Sequence, residues 1–274
     1  MVEVTKQEIQ ELRAKTNCGI MDCKKALKDA NGDMEAAVDV LRKKGMAKAA
    51  TRSDRKATEG VVKIELSADN KTAYMLQLCS ETDFVSRNEK FQGLATEILV
   101  AMKKSKGASE IEDIKNLVLA SGHTVAQEVE ELSGVIGEKI ELTNAKVINS
   151  EKDQVLGYYV HSNQKIGVVL IVNEGDDTFV KQLCMHIAAS APVYISKDEV
   201  PSEELSRERD VLKEQVINEG KPEAVADKIV EGKLRKYFEE ICLMEQKFVI
   251  DTDKKISDVL GKTKIIKFIR FSIG

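Results

Sequence analysis

The sequence lacks tryptophan, and aromatic residues make up only 4% of its 274 positions. It has three prolines, and no apolar stretch approaches the roughly 18 residues that a membrane-spanning helix requires. We therefore expect no membrane span. With so few helix breakers, the abundant Ala, Glu and Lys residues favour a helix-rich protein that also contains some sheet.

Cysteine is scarce, and its placement argues against a disulfide framework. The five cysteines stand at positions 18, 23, 79, 184 and 242, and no two of them have C-x-x-C spacing. An odd number of cysteines in largely apolar surroundings is typical of reduced thiols in a cytosolic protein. The first residues show neither a signal-peptide core nor an Arg-rich transit pattern, so we expect a cytoplasmic protein.

The charge balance does not favour nucleic-acid binding. Charged residues make up 32% of the chain, but the formal net charge is −4 and the isoelectric point is about 5.7. A general nucleic-acid binder would be basic, so no nucleic acid is expected as a partner. One basic stretch between Arg42 and Lys56 is interpreted as a solvated helix end and linker rather than an RNA contact.

Residue patterns that would support metal, nucleotide or nucleophilic chemistry are weak. The three histidines, His123, His161 and His186, are scattered, and we expect His186 to be a hydrogen-bonded core residue. Gly261-Lys262-Thr263 is not a phosphate loop, because the glycine required five residues before Gly261 is Ile256. No Ser or Cys has a recognisable base partner. The sequence therefore predicts no metal, no cofactor and no direct nucleotide binding.

The first domain, residues 1–52, has the pattern of three short helices. Thr5 and Glu8 form a capping box, so the first helix should begin at Lys6 and end near residues 17–19. The second helix should follow Asp22 and stop at residues 31–32, and Asp33 should cap the third, which should end at residue 45. Such a compact trio resembles a ubiquitin-associated-type bundle, and a charged linker at 47–59 follows it.

The remaining chain repeats one order of elements, which predicts two related subdomains at 53–150 and 151–274. Each has a strand hairpin, then helix, then a closing strand, which is an α+β arrangement with helices on one face of an antiparallel sheet. An insertion at about 197–242 has two apolar-striped arms with densely charged outer faces, so we predict an antiparallel helical hairpin. The expected strands are 60–66, 72–78, 139–148, 155–161, 166–172 and 264–273.

The connector after residue 80 is the most informative stretch. An apolar run at 74–79 precedes it, and a helical pattern follows, with Ser86 and Glu89 at capping-box spacing. Asp83 and Phe84 should therefore lie on a tight strand-to-helix turn. A large ring held outward there would suit insertion into a partner. The alternative, which composition alone favours, is that Phe84 packs back onto its own helix.

Four ordered motifs carry a resemblance to a known family. They are Thr82-Asp83-Phe84-Val85; Leu12 to Thr16 followed by Gly19 to Leu27; Met185 to Ser190 with Pro192; and Lys267 to Phe271. Together they resemble bacterial elongation factor Ts, the guanine-nucleotide exchange factor for elongation factor Tu. The motifs span nearly the whole chain, so the resemblance is specific.

The resemblance implies a set of contacts with elongation factor Tu. The wedge, Asp83 and Phe84 with flanking Thr82 and Val85, would enter between helices of the GTPase near its Mg²⁺ and switch region. Further contacts would come from the bundle, and others from the C-terminal half. The bundle residues are Arg13, Ile20, Met21 and Lys24, and the residues of the C-terminal half are His161, Val249 and Ile250.

Several alternatives stay open. Ile20 and Met21 could be bundle core, Val249 with Ile250 could be strand interior, and His161 could be a solvated turn residue. Family members commonly continue into a helical tail, whereas this chain ends at Gly274, so we carry over no contact made by that tail.

The sequence also allows two other functions. One is a ubiquitin-associated-like adaptor or oligomerisation protein without exchange activity, and the other is an enzyme on the α+β core. Against the enzyme stands the lack of any clustered set of reactive residues. A homodimer or a two-to-two complex, through the core or the helical hairpin, is a further expectation.

Overall fold

The structure, a computed structural model, describes residues 4–16, 18–50, 54–219 and 223–274. The side chains of residues 42, 46–50 and 223–225 lie outside this description. The chain divides into two compact units, the first formed by Met1–Asn149, Ser162–Ile166 and Phe271–Gly274, and the second by Ser150–His161 and Gly167–Arg270. The predicted division into three domains stays a prediction.

The first unit begins with three helices, α1 (Lys6–Thr16), α2 (Ile20–Asp29) and α3 (Met34–Ala50). The predicted capping box is present, because Thr5 N–H donates to Glu8 Oε2 at 2.7 Å and Glu8 N–H donates to Thr5 Oγ1 at 3.2 Å. The prediction that α2 follows Asp22 was wrong: it begins at Ile20, where Gly19 with extended backbone precedes the first turn. The side chains that form the core of this bundle are Leu12, Cys23, Ala26, Leu27, Ala37 and Leu41.

The third helix begins as predicted but does not end as predicted. Asp33 Oδ1 accepts the Ala36 N–H at 2.9 Å, which caps α3. The expected end at Gly45 was wrong, because the helix continues to Ala50. Gly45 instead lies at a close approach between α3 and a later helix, where its backbone packs against Gly134.

The remaining part of the first unit is a sheet covered by helices. Strands β1 (Glu59–Leu66), β2 (Thr72–Ser80) and β3 (Ile140–Asn149) form an antiparallel sheet in the order β1-β2-β3. The predicted helical stretch is divided into α4 (Asp83–Ser86), α5 (Glu89–Lys104), α6 (Ile111–Lys115) and α7 (Val125–Ile136). The apolar faces of α5 and α7 meet the sheet in one core, which includes Leu76, Leu78, Phe91, Ile98, Leu99, Val125 and Val129.

The second unit repeats this order of elements, as predicted. Strands β4 (Val155–Val160) and β5 (Ile166–Val172) form an antiparallel hairpin, and β8 (Ile265–Ser272) pairs with β5, which gives the order β4-β5-β8. Helix α8 (Asp177–Ser190) is capped by Asp176, whose Oδ1 accepts the Phe179 N–H at 3.0 Å. The α+β fold class is therefore confirmed.

The predicted insertion is two helices, α9 (Ser202–Asn218) and α10 (Glu223–Ile241). They pack along an apolar seam of Leu212, Val216, Ala226, Val230 and Leu234. The expected turn at residues 220–222 lies outside the described residues. Three short elements that were not predicted follow: β6 (Lys247–Phe248), β7 (Asp251–Lys255) and α11 (Ile256–Val259). No helix in the described ranges is long and apolar enough to cross a membrane.

The contact between α3 and α7 yields a matched pair of substitutions. A Cβ built on Gly134 of α7 would lie 2.5 Å from the Gly45 carbonyl carbon, whereas a Cβ on Gly45 would lie 3.5 Å from Gly134 Cα. We expect Gly134→Ala to lower the free energy of unfolding by about 1–3 kcal/mol through overpacking. Gly45→Ala should be neutral or stabilising by up to about 1 kcal/mol, because alanine is the better helix former. Urea denaturation followed by circular dichroism measures both, and equal effects of the two variants would contradict this packing.

Candidate functional site

The turn after β2 is held in place by a carboxylate from the start of β3. The Glu138 carboxylate accepts the Thr82 backbone N–H at 3.1 Å and the Thr82 hydroxyl at 2.9 and 3.0 Å. From the other side, the Ser80 hydroxyl donates to the Thr82 carbonyl at 2.9 Å. Thr82 is thus fixed in an extended conformation, with φ −126° and ψ 158°, directly before α4. Thr82 thus orients the turn, and its predicted partner contact stays a prediction.

The Glu81 carboxylate makes a second link between the same two segments of the chain. Glu81 Oε1 accepts the Lys139 backbone N–H at 2.6 Å, and Arg55 Nη1 donates to both carboxylate oxygens of Glu81 at 3.2 and 3.3 Å. The chain segments 81–82 and 138–139 are therefore joined by reciprocal side-chain bonds. Sequence reasoning missed both glutamates, because their partners lie between 26 and 58 residues away along the chain.

The turn itself is a single helical turn rather than a loop. Arg87 N–H donates to the Asp83 carbonyl at 3.2 Å, and the Ser86 hydroxyl donates to the same carbonyl at 3.0 Å. The expected capping box of Ser86 with Glu89 was wrong. Helix α5 is capped by Asn88, whose Oδ1 accepts the Lys90 N–H at 2.9 Å.

The two apolar residues of α4 point in opposite directions. Val85 is 6% exposed and belongs to the core of the first unit, whereas Phe84 is 84% exposed. Among the described residues Phe84 is the most exposed large hydrophobic side chain. The alternative in which Phe84 packs onto its own helix is therefore wrong. The side chain of Val85 is buried and anchors the turn, and its predicted partner contact stays a prediction.

Asp83 lies beside the exposed ring and is half-exposed. Its Oδ2 is 3.0 Å from Arg87 Nη2, in an ion pair between residues four positions apart. Arg87 is 80% exposed, and an ion pair in such a position contributes at most about 1 kcal/mol. A partner could therefore take Asp83 away from Arg87 at little cost.

The bundle presents a second exposed apolar group at the start of α2. Ile20 is 53% exposed and Met21 is 74% exposed, so the alternative that they form the bundle core is wrong. Lys24, one turn after Ile20, and Arg13 on α1 are also exposed. These exposed apolar and basic side chains are available to another molecule.

In the second unit, His161 and the pair Val249 and Ile250 are exposed at two separate positions. His161 follows β4, and its ring meets the Tyr159 ring edge-on with centroids 6.2 Å apart. Val249 and Ile250 form the two-residue turn between β6 and β7, and they are 40% and 51% exposed. The alternative that this pair is strand interior is therefore wrong.

The turn at Val249 and Ile250 is attached to α8 through His186. The Val249 N–H donates to His186 Nδ1 at 3.3 Å, and His186 Nε2 lies 3.0 Å from Gln246 Oε1. His186 is fully buried, and this burial lowers the pKa of its imidazole below the usual value. The predicted hydrogen-bonded core histidine is confirmed.

The buried thiols are poorly suited to nucleophilic chemistry. Burial raises the pKa of Cys184 to about 12 and that of Cys242 to about 11. Burial also raises the pKa of Cys23. Since the thiolate is the reactive form, these cysteines are inert at neutral pH and act as small apolar side chains.

One group of side chains in the described ranges has donor atoms close enough to share a metal ion. His123 Nδ1 lies 3.0 Å from Glu128 Oε1 and 3.7 Å from Glu131 Oε2. All three residues are about one quarter exposed, and an imidazole–carboxylate pairing accounts for both distances. We assign no metal to this group.

The turn at 81–87 also lies at the start of a match to a protein-family model. The family model for elongation factor Ts matches residues 81–274, which is more than half of the chain. The chain belongs to the elongation factor Ts family. Members of this family are nucleotide exchange factors of translation elongation rather than catalysts of a chemical step, and membership implies elongation factor Tu as the partner. The match contains α4, the helical hairpin and the β6–β7 turn, while the bundle precedes it.

The bonds to Thr82 give a test of how the turn is held. Glu138→Ala leaves the Thr82 N–H and hydroxyl without their acceptor, which should cost about 1–3 kcal/mol of folding free energy. Hydrogen exchange measured by mass spectrometry should show faster exchange across residues 81–87. The control is Glu141→Ala, which removes a half-exposed carboxylate on β3 that pairs with Lys139 at 2.9 Å. Unchanged exchange at 81–87 in Glu138→Ala would show that the turn does not depend on the hydrogen bonds between Glu138 and Thr82.

Proposed function

We propose that this chain promotes release of GDP from elongation factor Tu by inserting Phe84 between helices of the GTPase, beside its Mg²⁺ and phosphate site. The observation that carries the proposal is the 84% exposure of Phe84 on a turn fixed from both sides. A mobile turn would lose backbone freedom on binding. Here the backbone of the turn is already fixed, so only the side-chain rotamers of Phe84 remain to be ordered.

An exchange factor works by binding the nucleotide-free state more tightly than the nucleotide-bound state. The coupling is reciprocal, so GDP must weaken the protein–protein contact by the same factor as that contact weakens GDP binding. No covalent step is required. Exposed apolar and charged groups on a rigid frame are sufficient, provided that the nucleotide-free GTPase alone offers their binding site.

The energies show that the ring cannot act alone. Burying one phenylalanine side chain contributes about 1.5–3 kcal/mol, and each tenfold change in affinity requires about 1.4 kcal/mol. Phe84 can therefore account for roughly one to two decades of weakened nucleotide binding. Asp83 is proposed to disturb the Mg²⁺ and phosphate contacts beside the ring, where a second negative charge competes with the nucleotide.

The other exposed groups are proposed to supply affinity. Ile20 and Met21 would pack on another helix of the GTPase domain, with Arg13 and Lys24 at their edge. In the second unit, His161 and the pair at 249–250 would complete the contact. The exposure of each of these side chains supports the proposal.

Assembly and location are further parts of the proposal. Val211 and Ile217 on α9 are 44% and 49% exposed, whereas Leu212 and Val216 pack inside the helical hairpin. The hairpin can thus contact elongation factor Tu or a second copy of the chain, in a homodimer or a two-to-two complex. We propose the cytoplasm as the compartment, in keeping with the reduced cysteines.

The exposed ring makes the sharpest test. Phe84→Ala should slow the stimulated release of fluorescent GDP from elongation factor Tu by about 10- to 100-fold, as the lost burial energy implies. Folding should be unaffected, because the ring packs on nothing in its own core. Val118→Ala is the matched control, since Val118 is a 64% exposed apolar residue in the same unit but outside the proposed contact. A normal release rate with Phe84→Ala would refute the wedge.

The bundle contact is tested by affinity rather than rate. The double variant Ile20→Ala with Met21→Ala should weaken binding to nucleotide-free elongation factor Tu by about tenfold or more, because two exposed apolar side chains lose their burial on binding. Isothermal titration calorimetry measures this. Lys28→Ala, at an exposed position on the same helix, should bind normally. If the double variant binds as tightly as the unchanged protein, the bundle does not grip the GTPase through α2.

A further inference from the structure

His186 forms hydrogen bonds that a side chain buried only to fill space in the core would not need. It lies on α8, is fully buried, and engages both ring nitrogens, one with the Val249 backbone and one with the Gln246 side chain. Its side chain cannot reach a partner directly. Its connection to Val249, however, places it immediately behind an exposed turn that we assign to the contact with elongation factor Tu.

The hydrogen bonds determine the protonation of the ring. A backbone N–H can only donate, so His186 Nδ1 must be the acceptor and carries no proton. Gln246 Nε2 donates to the carbonyls of Glu240 at 2.7 Å and Ser190 at 3.3 Å, so its Oε1 faces the imidazole. His186 Nε2 therefore carries the proton and donates it to Gln246. Burial lowers the imidazole pKa, which favours this neutral form at pH 7.

Other hydrogen bonds hold the base of this hairpin rather than its turn, because Ile256 N–H donates to the Gln246 carbonyl at 2.9 Å and Lys255 Nζ donates to Glu245 Oε2 at 3.0 Å. Strands β6 and β7 form a separate two-stranded sheet, and so short a ladder defines its turn less tightly than a larger sheet would. Phe248 is buried with its ring centroid 5.9 Å from that of His186. The next two residues, Val249 and Ile250, leave the core and become exposed. The bond from Val249 to His186 is thus made at the point where the chain turns outward.

We propose that His186 is a positioning residue, whose neutral ring, protonated at Nε2, holds the Val249–Ile250 turn in the conformation that binds elongation factor Tu. This inference rests on the proposed function. It goes beyond it by assigning the geometry of one contact to a buried side chain on a different element. If His186 were only a structural residue, replacing it would change folding stability but not the amount by which Ile250→Ala weakens binding.

A double-mutant cycle separates the two roles. Ile250→Ala should weaken binding to nucleotide-free elongation factor Tu by about tenfold in the unchanged protein. In a His186→Leu background, where the side chain is similar in size but cannot accept the Val249 N–H, Ile250→Ala should weaken binding by less than about threefold. Phe84→Ala is the control partner. It should keep its full effect on binding in the His186→Leu background, because uncoupled sites behave additively.

His186→Asn provides a conservative rescue, because its amide oxygen can accept the Val249 N–H near the place of Nδ1. In the His186→Asn background, we expect Ile250→Ala again to weaken binding nearly as much as it does in the unchanged protein. In the free protein, hydrogen exchange at the Val249 amide should be fast in His186→Leu and slow in His186→Asn. Nitrogen chemical shifts of the unchanged protein should show a proton on Nε2 and none on Nδ1, a readout that does not depend on any variant folding.

The outcomes are distinct. Full additivity of His186→Leu and Ile250→Ala, or a proton on Nδ1, would overturn the positioning role while the partner contact at Ile250 stands. If Ile250→Ala leaves binding unchanged in the otherwise unaltered protein, the contact itself is absent and the role of His186 falls with it. If in that case Phe84→Ala still slows GDP release, the proposed exchange function survives without this contact.

Discussion

The Glu138 carboxylate accepts the backbone N–H and the hydroxyl of Thr82, and the remaining features of the proposed wedge depend on these bonds. These bonds join the segment that follows β2 to the segment that precedes β3, so they link the turn to two neighbouring strands of the sheet. With Thr82 fixed, the single turn of α4 can direct Val85 inward and Phe84 outward. An exposed aromatic side chain gains nothing in the free protein. Its rigid presentation has value only when another molecule covers it.

Much of the fold follows from local sequence patterns. The capping box at Thr5 and the cap at Asp176 are short-range signals, and alternating or helical periodicity located the strands and most helices. Phe84 was placed on a turn because an apolar strand and a helical pattern flank it. Its orientation could not be derived from composition, since only the burial of Val85 shows which of the two side chains faces the core.

Other features depend on contacts that no local pattern reveals. The two glutamates that join segments 81–82 and 138–139, Glu81 and Glu138, lie far from each other in sequence and resemble ordinary surface glutamates. Gly45 looks like a helix end, yet it is interior to α3 because it packs against Gly134. The two-residue strand β6 is too short to produce a period, so the exposed turn at Val249 was visible only through the family resemblance.

The glycine contact between α3 and α7 has a mechanical consequence. Helix α3 has 17 residues, so at 1.5 Å per residue it is roughly 25 Å long, and α2 packs along it. Gly45 lies 11 residues from the start of α3, a distance of roughly 16 Å, so a tilt of about 5° at the glycine contact would displace that end by about 1.4 Å. The contact between Gly45 and Gly134 thus affects the separation between Phe84 and the pair Ile20 and Met21, although neither glycine belongs to the proposed contact surface. Selection on the proposed contacts could therefore act at a helix crossing that lies outside the proposed contact surface.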